Sequence, residues 1–191
     1  MAVLEEDPGT GVEEHNASAV TTVVCAEDLR GLSGDELMRL YRNGSAPGSV
    51  RAVEGHPAGL GIALIVLSGG RIDRRLRRYS RSDRFPWHGK SFQTISDTGG
   101  WGWNRLAAGP VLDAFPFRTY LASSRLDGAP ALVLDYDVSR NPWWQRKIWD
   151  ELREVIPGVY LGIFGARLFG GYRQLAWFAV DTTRQNPLAA S

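Results

Sequence analysis

Short β-rich runs recur along the chain, each closed by a turn signal, and this series constrains the fold more than any other feature. Residues 61–67 (GIALIVL) end at Ser68-Gly69-Gly70. Residues 90–95, 101–106 and 116–124 come next, and residues 131–137 come after the turn signal Leu126-Asp-Gly-Ala-Pro130. Val159–Leu168 and residues 172–181 flank Gly170-Gly171. Runs of this length, rich in β-branched and aromatic residues and bounded by Gly, Pro, Asn and Asp, read as strands joined by hairpins. One stretch breaks the series. Asn141-Pro142 has the form of a helix N-cap followed by proline, Trp144, Ile148, Leu152 and Val155 share one helical face, and Pro157-Gly158 ends it. A helix over about residues 142–155 is predicted. A short N-terminal helix is predicted from Ser33, where Ser33 and Glu36 have capping-box spacing and Leu37, Leu40 and Tyr41 lie beyond them. The fold class is therefore mainly β, a small antiparallel β-barrel with these two helices, whose interior can hold one small ligand.

The chain has 191 residues and a net charge of +1, enough for one domain with a sizeable core and no global attraction to nucleic acid. Nine acidic residues and one basic residue lie in residues 1–36. Most of residues 1–32 lack hydrophobic period and read as a disordered acidic tail. Residues 33–181 form the barrel domain and 182–191 a flexible tail. The N-terminus is not patterned as a signal peptide, the longest apolar run (60–67) is too short to span a bilayer, and a cytoplasmic location is expected. One cysteine, Cys25, excludes an internal disulfide framework.

The tripeptide Gly89-Lys90-Ser91 has the letters that end a phosphate-binding loop. The position five before Gly89 is Arg84 where that loop needs glycine, and Ser91-Phe-Gln-Thr-Ile95 alternates like a strand where it needs a helix. A nucleotide site is not supported. Trp87, Gly89, Lys90 and Phe92, as W-x-G-K-x-F, resemble a strand entrance in the GXWXG-type bacterial domains, whose companion domain is a small barrel of the lipocalin-like class. Gly55-His-Pro57 is similar to a second step of that family, and Tyr160-Leu-Gly162 with Leu175-Ala-Trp-Phe178 resemble its closing strands. The naming motif G-x-W-x-G is absent; the nearest stretch, Gly100-Trp-Gly-Trp103, does not fit it. The resemblance implies a barrel and carries no established reaction.

Seven tryptophans are a large aromatic load. Those after Pro142 (Trp143, Trp144 and Trp149) are expected to plug the barrel end; Trp101, Trp103 and Trp177 extend a possible cavity lining. In residues 115–123, Phe115, Phe117, Thr119 and Leu121 share one face and Arg118 and Tyr120 the other. We expect the cavity to be polar enough to take Arg118 and Tyr120 inside. The ligand-binding candidates are Trp87, Lys90, Trp101, Trp103, Arg118, Tyr160 and Trp177.

Acid–base material consists of Asp135-Tyr-Asp137, His88, Lys90, Tyr160, Asp150 and Glu151. Asp135, Tyr120 and His88 are the catalytic candidates, the repulsion between Asp135 and Asp137 being able to raise one carboxyl pKa; the structural alternative is a pair of exposed, arginine-bound carboxylates. His88 and Lys90 are expected on one strand face. No metal constellation is visible, and no cofactor is expected; haem on His56 or His88 is the minor alternative. Seven arginines in residues 71–84, with Ile72, Leu76 and Tyr79 at helical spacing, suggest a basic amphipathic segment able to meet an anionic membrane surface or an acidic partner. Two functions are compatible with these features: binding of a hydrophobic lipid-, polyketide- or terpenoid-like molecule in the cavity, or cofactor-free isomerisation or cyclisation of such a molecule there.

Overall fold

In the computed structural model, residues 23–64, 78–79, 82, 86–107 and 111–185 are described. Eight strands form a closed antiparallel barrel in chain order: β1 (Pro57–Leu64), β2 (Trp87–Ser96), β3 (Gly99–Ala107), β4 (Val111–Ser123), β5 (Pro130–Asp135), β6 (Ile148–Ile156), β7 (Val159–Leu168) and β8 (Gly171–Gln185), with β8 pairing back onto β1. The β1–β2 seam is the thinnest, paired among the described residues at Ala58↔Gly89 alone.

The predicted helix over residues 142–155 is replaced by a turn, a short 3-10 helix (Gln145–Lys147) and β6. β6 pairs Leu132↔Leu152 and Leu134↔Asp150 with β5, and Trp149↔Gly165 and Glu151↔Ile163 with β7. Without it the sheet could not close. The helical stripe is real but short, and the barrel's backbone hydrogen bonding outweighs it. Alternation sends Asp150 and Leu152 inward while Trp149, Glu151 and Arg153 go outward, and all five are buried.

The predicted N-terminal helix is present as α1 (Gly34–Asn43). The Ser33 side chain accepts from the Glu36 backbone N–H at 3.3 Å, and Glu36 Oε2 accepts from the Ser33 N–H at 2.7 Å. Residues 1–22 of the expected acidic tail lie outside the described residues, but Ala26–Gly31 is a 3-10 helix that buries Ala26 and Leu29. With Leu37 and Tyr41 of α1, these pack on the outer faces of Leu60, Ile62, Leu161, Ile163 and Trp177. Glu27 also pairs with Arg184, so β8 continues to Gln185 where a flexible tail was expected from residue 182; residues 186–191 are not described. Apolar side chains too few to show a period in the sequence suffice to dock a single turn.

The inner cluster (Phe92, Phe117, Leu132, Leu134, Leu152, Tyr160, Phe178 and Val180) is joined by Val50 and Val53 from a 3-10 helix (Val50–Val53). The Val50 N–H donates to the Asp97 carbonyl in the β2–β3 turn at 2.9 Å, so this segment stoppers the barrel at that end.

Candidate functional site

Towards the other end the barrel is hollow. A cavity of about 230 Å³ is bounded by Gly61, Ile62 and Ala63 of β1, Trp87 and Lys90 of β2, Asn104 of β3, Asp150 of β6, Phe164 of β7 and residues 176–178 of β8, with Tyr136 just after β5. These positions lie late in the odd-numbered strands and early in the even-numbered ones, which in an antiparallel barrel is one end.

A bulge in β2 makes this site. Trp87 pairs with Leu106 and Lys90 with Asn104, so two residues, His88 and Gly89, are fitted between successive inward positions. Gly89 has φ of +114°, and a Cβ there would lie 2.8 Å from both Arg105 Nη2 and the Gly59 backbone nitrogen. The bulge therefore places Trp87 and Lys90 together on the cavity and breaks the expected shared face of His88 and Lys90. Beyond Gly89 the chain runs on as strand through Ser96, in agreement with the alternation in its sequence.

Lys90 is 3 % exposed and spends all three ammonium hydrogens: on Asn104 Oδ1 (2.9 Å), the Tyr136 hydroxyl (2.6 Å) and Asp150 Oδ2 (2.7 Å). Asn104 Nδ2 donates to the Tyr136 hydroxyl at 2.9 Å, Tyr136 donates to Asp150 Oδ2 at 3.1 Å, and Trp87 Nε1 donates to Asn104 Oδ1 at 3.0 Å. Burial lowers the Lys90 pKa against the pull of Asp150, raises Asp150 against the pull of Lys90, and raises the Tyr136 phenol, to which the Asp150 charge adds. The ammonium and carboxyl pKa values are thus driven towards each other. The pair is therefore held less firmly as ammonium and carboxylate than the same two groups would be in water.

Three expected residues meet at this cavity: Trp87 and Lys90 directly, and Trp177 as part of its wall while its ring packs edge-on against Tyr41; Tyr160 belongs to the inner cluster under the stopper at the opposite end. The others do not join them. Trp101 and Trp103 flank inward-facing Gly102, which pairs with Phe92 and Phe117, and so lie on the outer face. Arg118 and Tyr120 are also outside; the inward positions of β4 are Phe117 and Thr119, 0 % and 2 % exposed. Desolvating an arginine costs more than burying the apolar set, and Arg118 instead reaches Asp135 across the outer surface at 2.7 Å. Asp137 binds Arg146 at 2.7 Å, so both carboxylates are arginine-bound on the outer surface, Asp137 exposed and Asp135 partly buried. Tyr120 sits half-buried beside Asp135, and burial, then that charge, raises its pKa. His88 is not in the cavity lining.

Of the tryptophans expected to plug the end, Trp143 is 71 % exposed and Trp144 48 %, whereas Trp149 is buried on the outer wall, its Nε1 donating to Glu151 Oε1 at 2.7 Å. His56 Nδ1 is 3.1 Å from Ser91 Oγ. Among the described residues, no three His, Cys, Asp or Glu gather as a metal site and no helix is long and apolar enough to cross a membrane. Most of residues 71–84 lie outside the described residues. Tyr136 and Asn104 are site residues that the sequence reading does not single out. Their signal is strand alternation: if Asp135 and Asp137 face out, Tyr136 faces in, and Asn104 comes directly after outward Trp103.

No family model matches the chain, and no curated protein matches it. Among solved structures it is similar to the crystal structure of a protein from Thermomonospora curvata, at 18 % identity, over 80 % of this chain and 89 % of that one, with a TM-score of 0.48.

Proposed function

We propose that the chain binds a small hydrophobic molecule, lipid-, polyketide- or terpenoid-like, in the open half of the barrel. The observation that carries this reading is an apolar cavity of about 230 Å³ with its polar atoms confined to the cluster of Lys90, Asn104, Tyr136 and Asp150. An apolar wall with a few convergent polar groups is the ordinary composition of a small-molecule site. The volume suits a compact ligand of one or two rings rather than a long acyl chain. The test is a titration with naphthalene followed by calorimetry and by the fluorescence of Trp87. One saturable site per chain, with the optical change lost in Trp87→Phe, is expected; absence of saturable binding contradicts the reading.

A second reading has its own support. Asp150, pushed up by burial, and Lys90, pushed down, form a proton donor–acceptor pair inside an apolar chamber, which suits a cofactor-free isomerase or cyclase. Ligands co-purifying with the protein, identified by mass spectrometry, supply the substrate to assay. Asp150→Asn then lowers turnover far more than binding if the chamber is catalytic, and affects both alike if it only carries.

A further inference from the structure

Every side-chain nitrogen and oxygen of the cavity's polar cluster has at least one partner but for one atom, although Asn104 Nδ2 uses only one of its two hydrogens, on the Tyr136 hydroxyl. Lys90 has no hydrogen left to give, and the Tyr136 hydroxyl accepts twice and donates once. Asn104 Oδ1 accepts from both Trp87 and Lys90, and Asp150 Oδ2 accepts from both Lys90 and Tyr136. Asp150 Oδ1 is buried and has no partner, on a residue that is 0 % exposed and part of the cavity lining. A buried carboxylate oxygen without a donor is a costly break in the hydrogen-bond pattern.

Resting on the cavity reading above, we infer that the ligand is a neutral apolar molecule carrying a hydroxyl or N–H donor, and that this donor bonds to Asp150 Oδ1. A carboxylate ligand has no hydrogen to offer and meets the negative charge of Asp150. A cationic amine meets the Lys90 ammonium, whose own bonds are already filled. A pure hydrocarbon fits the apolar wall but leaves Oδ1 bare. The preference for a donor-bearing ligand over a donor-free one therefore comes from one acceptor atom, while the walls supply size selection.

The test compares 2-naphthol, naphthalene and 2-naphthoate, which share a ring system and differ in this one feature, by calorimetry against the intact protein. A hydrogen bond to a charged acceptor predicts that 2-naphthol binds roughly tenfold or more tighter than naphthalene, although it is the better solvated of the two in water, and that 2-naphthoate binds weakest. In Asp150→Asn the amide oxygen is needed by the Lys90 and Tyr136 donors, which turns its N–H₂ to the position that Oδ1 holds; the preference for 2-naphthol over naphthalene is then lost. Naphthalene binding as well as 2-naphthol to the unmodified protein overturns the inference and leaves the cavity reading standing. If none of the three binds, both fall. The three-probe comparison needs no variant, so a folding defect in Asp150→Asn does not shield the idea.

Discussion

Lys90 is a cation held on an apolar wall, its Nζ 5.0 Å from the ring centre of Phe178 and 5.1 Å from that of Phe117. Its charge is tolerated because Asp150 and two neutral acceptors surround it. Removing one member of such a pair strands the other, so Lys90→Met is expected to destabilise the fold by about 3–5 kcal/mol. The double variant Lys90→Met/Asp150→Leu should recover most of that loss, since a hydrophobic pair of similar volume avoids the desolvation cost. Urea unfolding of the two variants checks this, and a double variant no more stable than the single would count against the pairing. The sequence marks Lys90 as a candidate but not its partners. Tyr136 and Asp150 lie 46 and 60 residues away along the chain, and only the barrel register brings them together. Arg118 shows the opposite difficulty. Its strand phase is legible as opposite to Phe117, but phase alone does not say which face is inside.

At the scale of elements, two devices hold the site in place. One is the β2 bulge. Gly59 and Gly89 face each other across the β1–β2 seam, and a Cβ on Gly59 would fall 2.2 Å from the Gly89 Cα. Arg105, buried on the outer face, ties the seam by donating to the Pro57 carbonyl at 2.5 Å. Gly89→Ala combines a left-handed backbone with these close contacts and should cost on the order of 1–3 kcal/mol while turning Lys90 off the cavity. Thermal unfolding and the loss of naphthalene binding report the two effects. The sequence hints at this turn through Pro86 and Gly89, but the extra residue is visible only against the β3 register.

The second device is Glu151, opposite in facing to Asp150. It accepts from the Tyr41 hydroxyl at 3.1 Å, Ser124 Oγ at 2.5 Å, the Arg125 N–H at 2.7 Å and Trp149 Nε1, and so fastens α1 and the β4–β5 turn to the outer wall. Tyr41→Phe removes one of these bonds and is expected to cost about 1–2 kcal/mol in chemical unfolding. The same turn carries a pH dependence. Hydrogen bonds from Arg153, at 2.6 and 2.8 Å, lead the effects that hold the Asp127 carboxyl below its ordinary 3.8. A depressed carboxyl contributes stability that is complete above the unfolded value and is lost as pH falls through the folded one. Asp127→Asn should therefore lower stability at neutral pH and flatten its decline below about pH 4; an unchanged acid limb would count against this role.

For the whole molecule, the division of the barrel into a filled half and a hollow half decides what it can do. Val50 and Val53 stopper one end over Phe92, Leu132, Leu152, Tyr160 and Val180, and the polar cluster sits in the other. The series of strand runs makes the barrel legible, since each strand but β6 appears as a β-rich run bounded by turn residues. β6 is hidden. Its three buried charges, Asp150, Glu151 and Arg153, and its apolar residues fit a helix as well as a strand, and only sheet closure decides between them. The cavity is legible as a possibility of the architecture, its position is not. The most direct measurement fills it: Ala176, on the cavity wall, is replaced by phenylalanine, and naphthalene binding is titrated calorimetrically beside the unmodified protein, with far-UV circular dichroism to confirm the barrel. We expect saturable one-to-one binding to the unmodified chain and none to a folded Ala176→Phe. Equal binding by both proteins would contradict the claim that the hollow half of the barrel is the site.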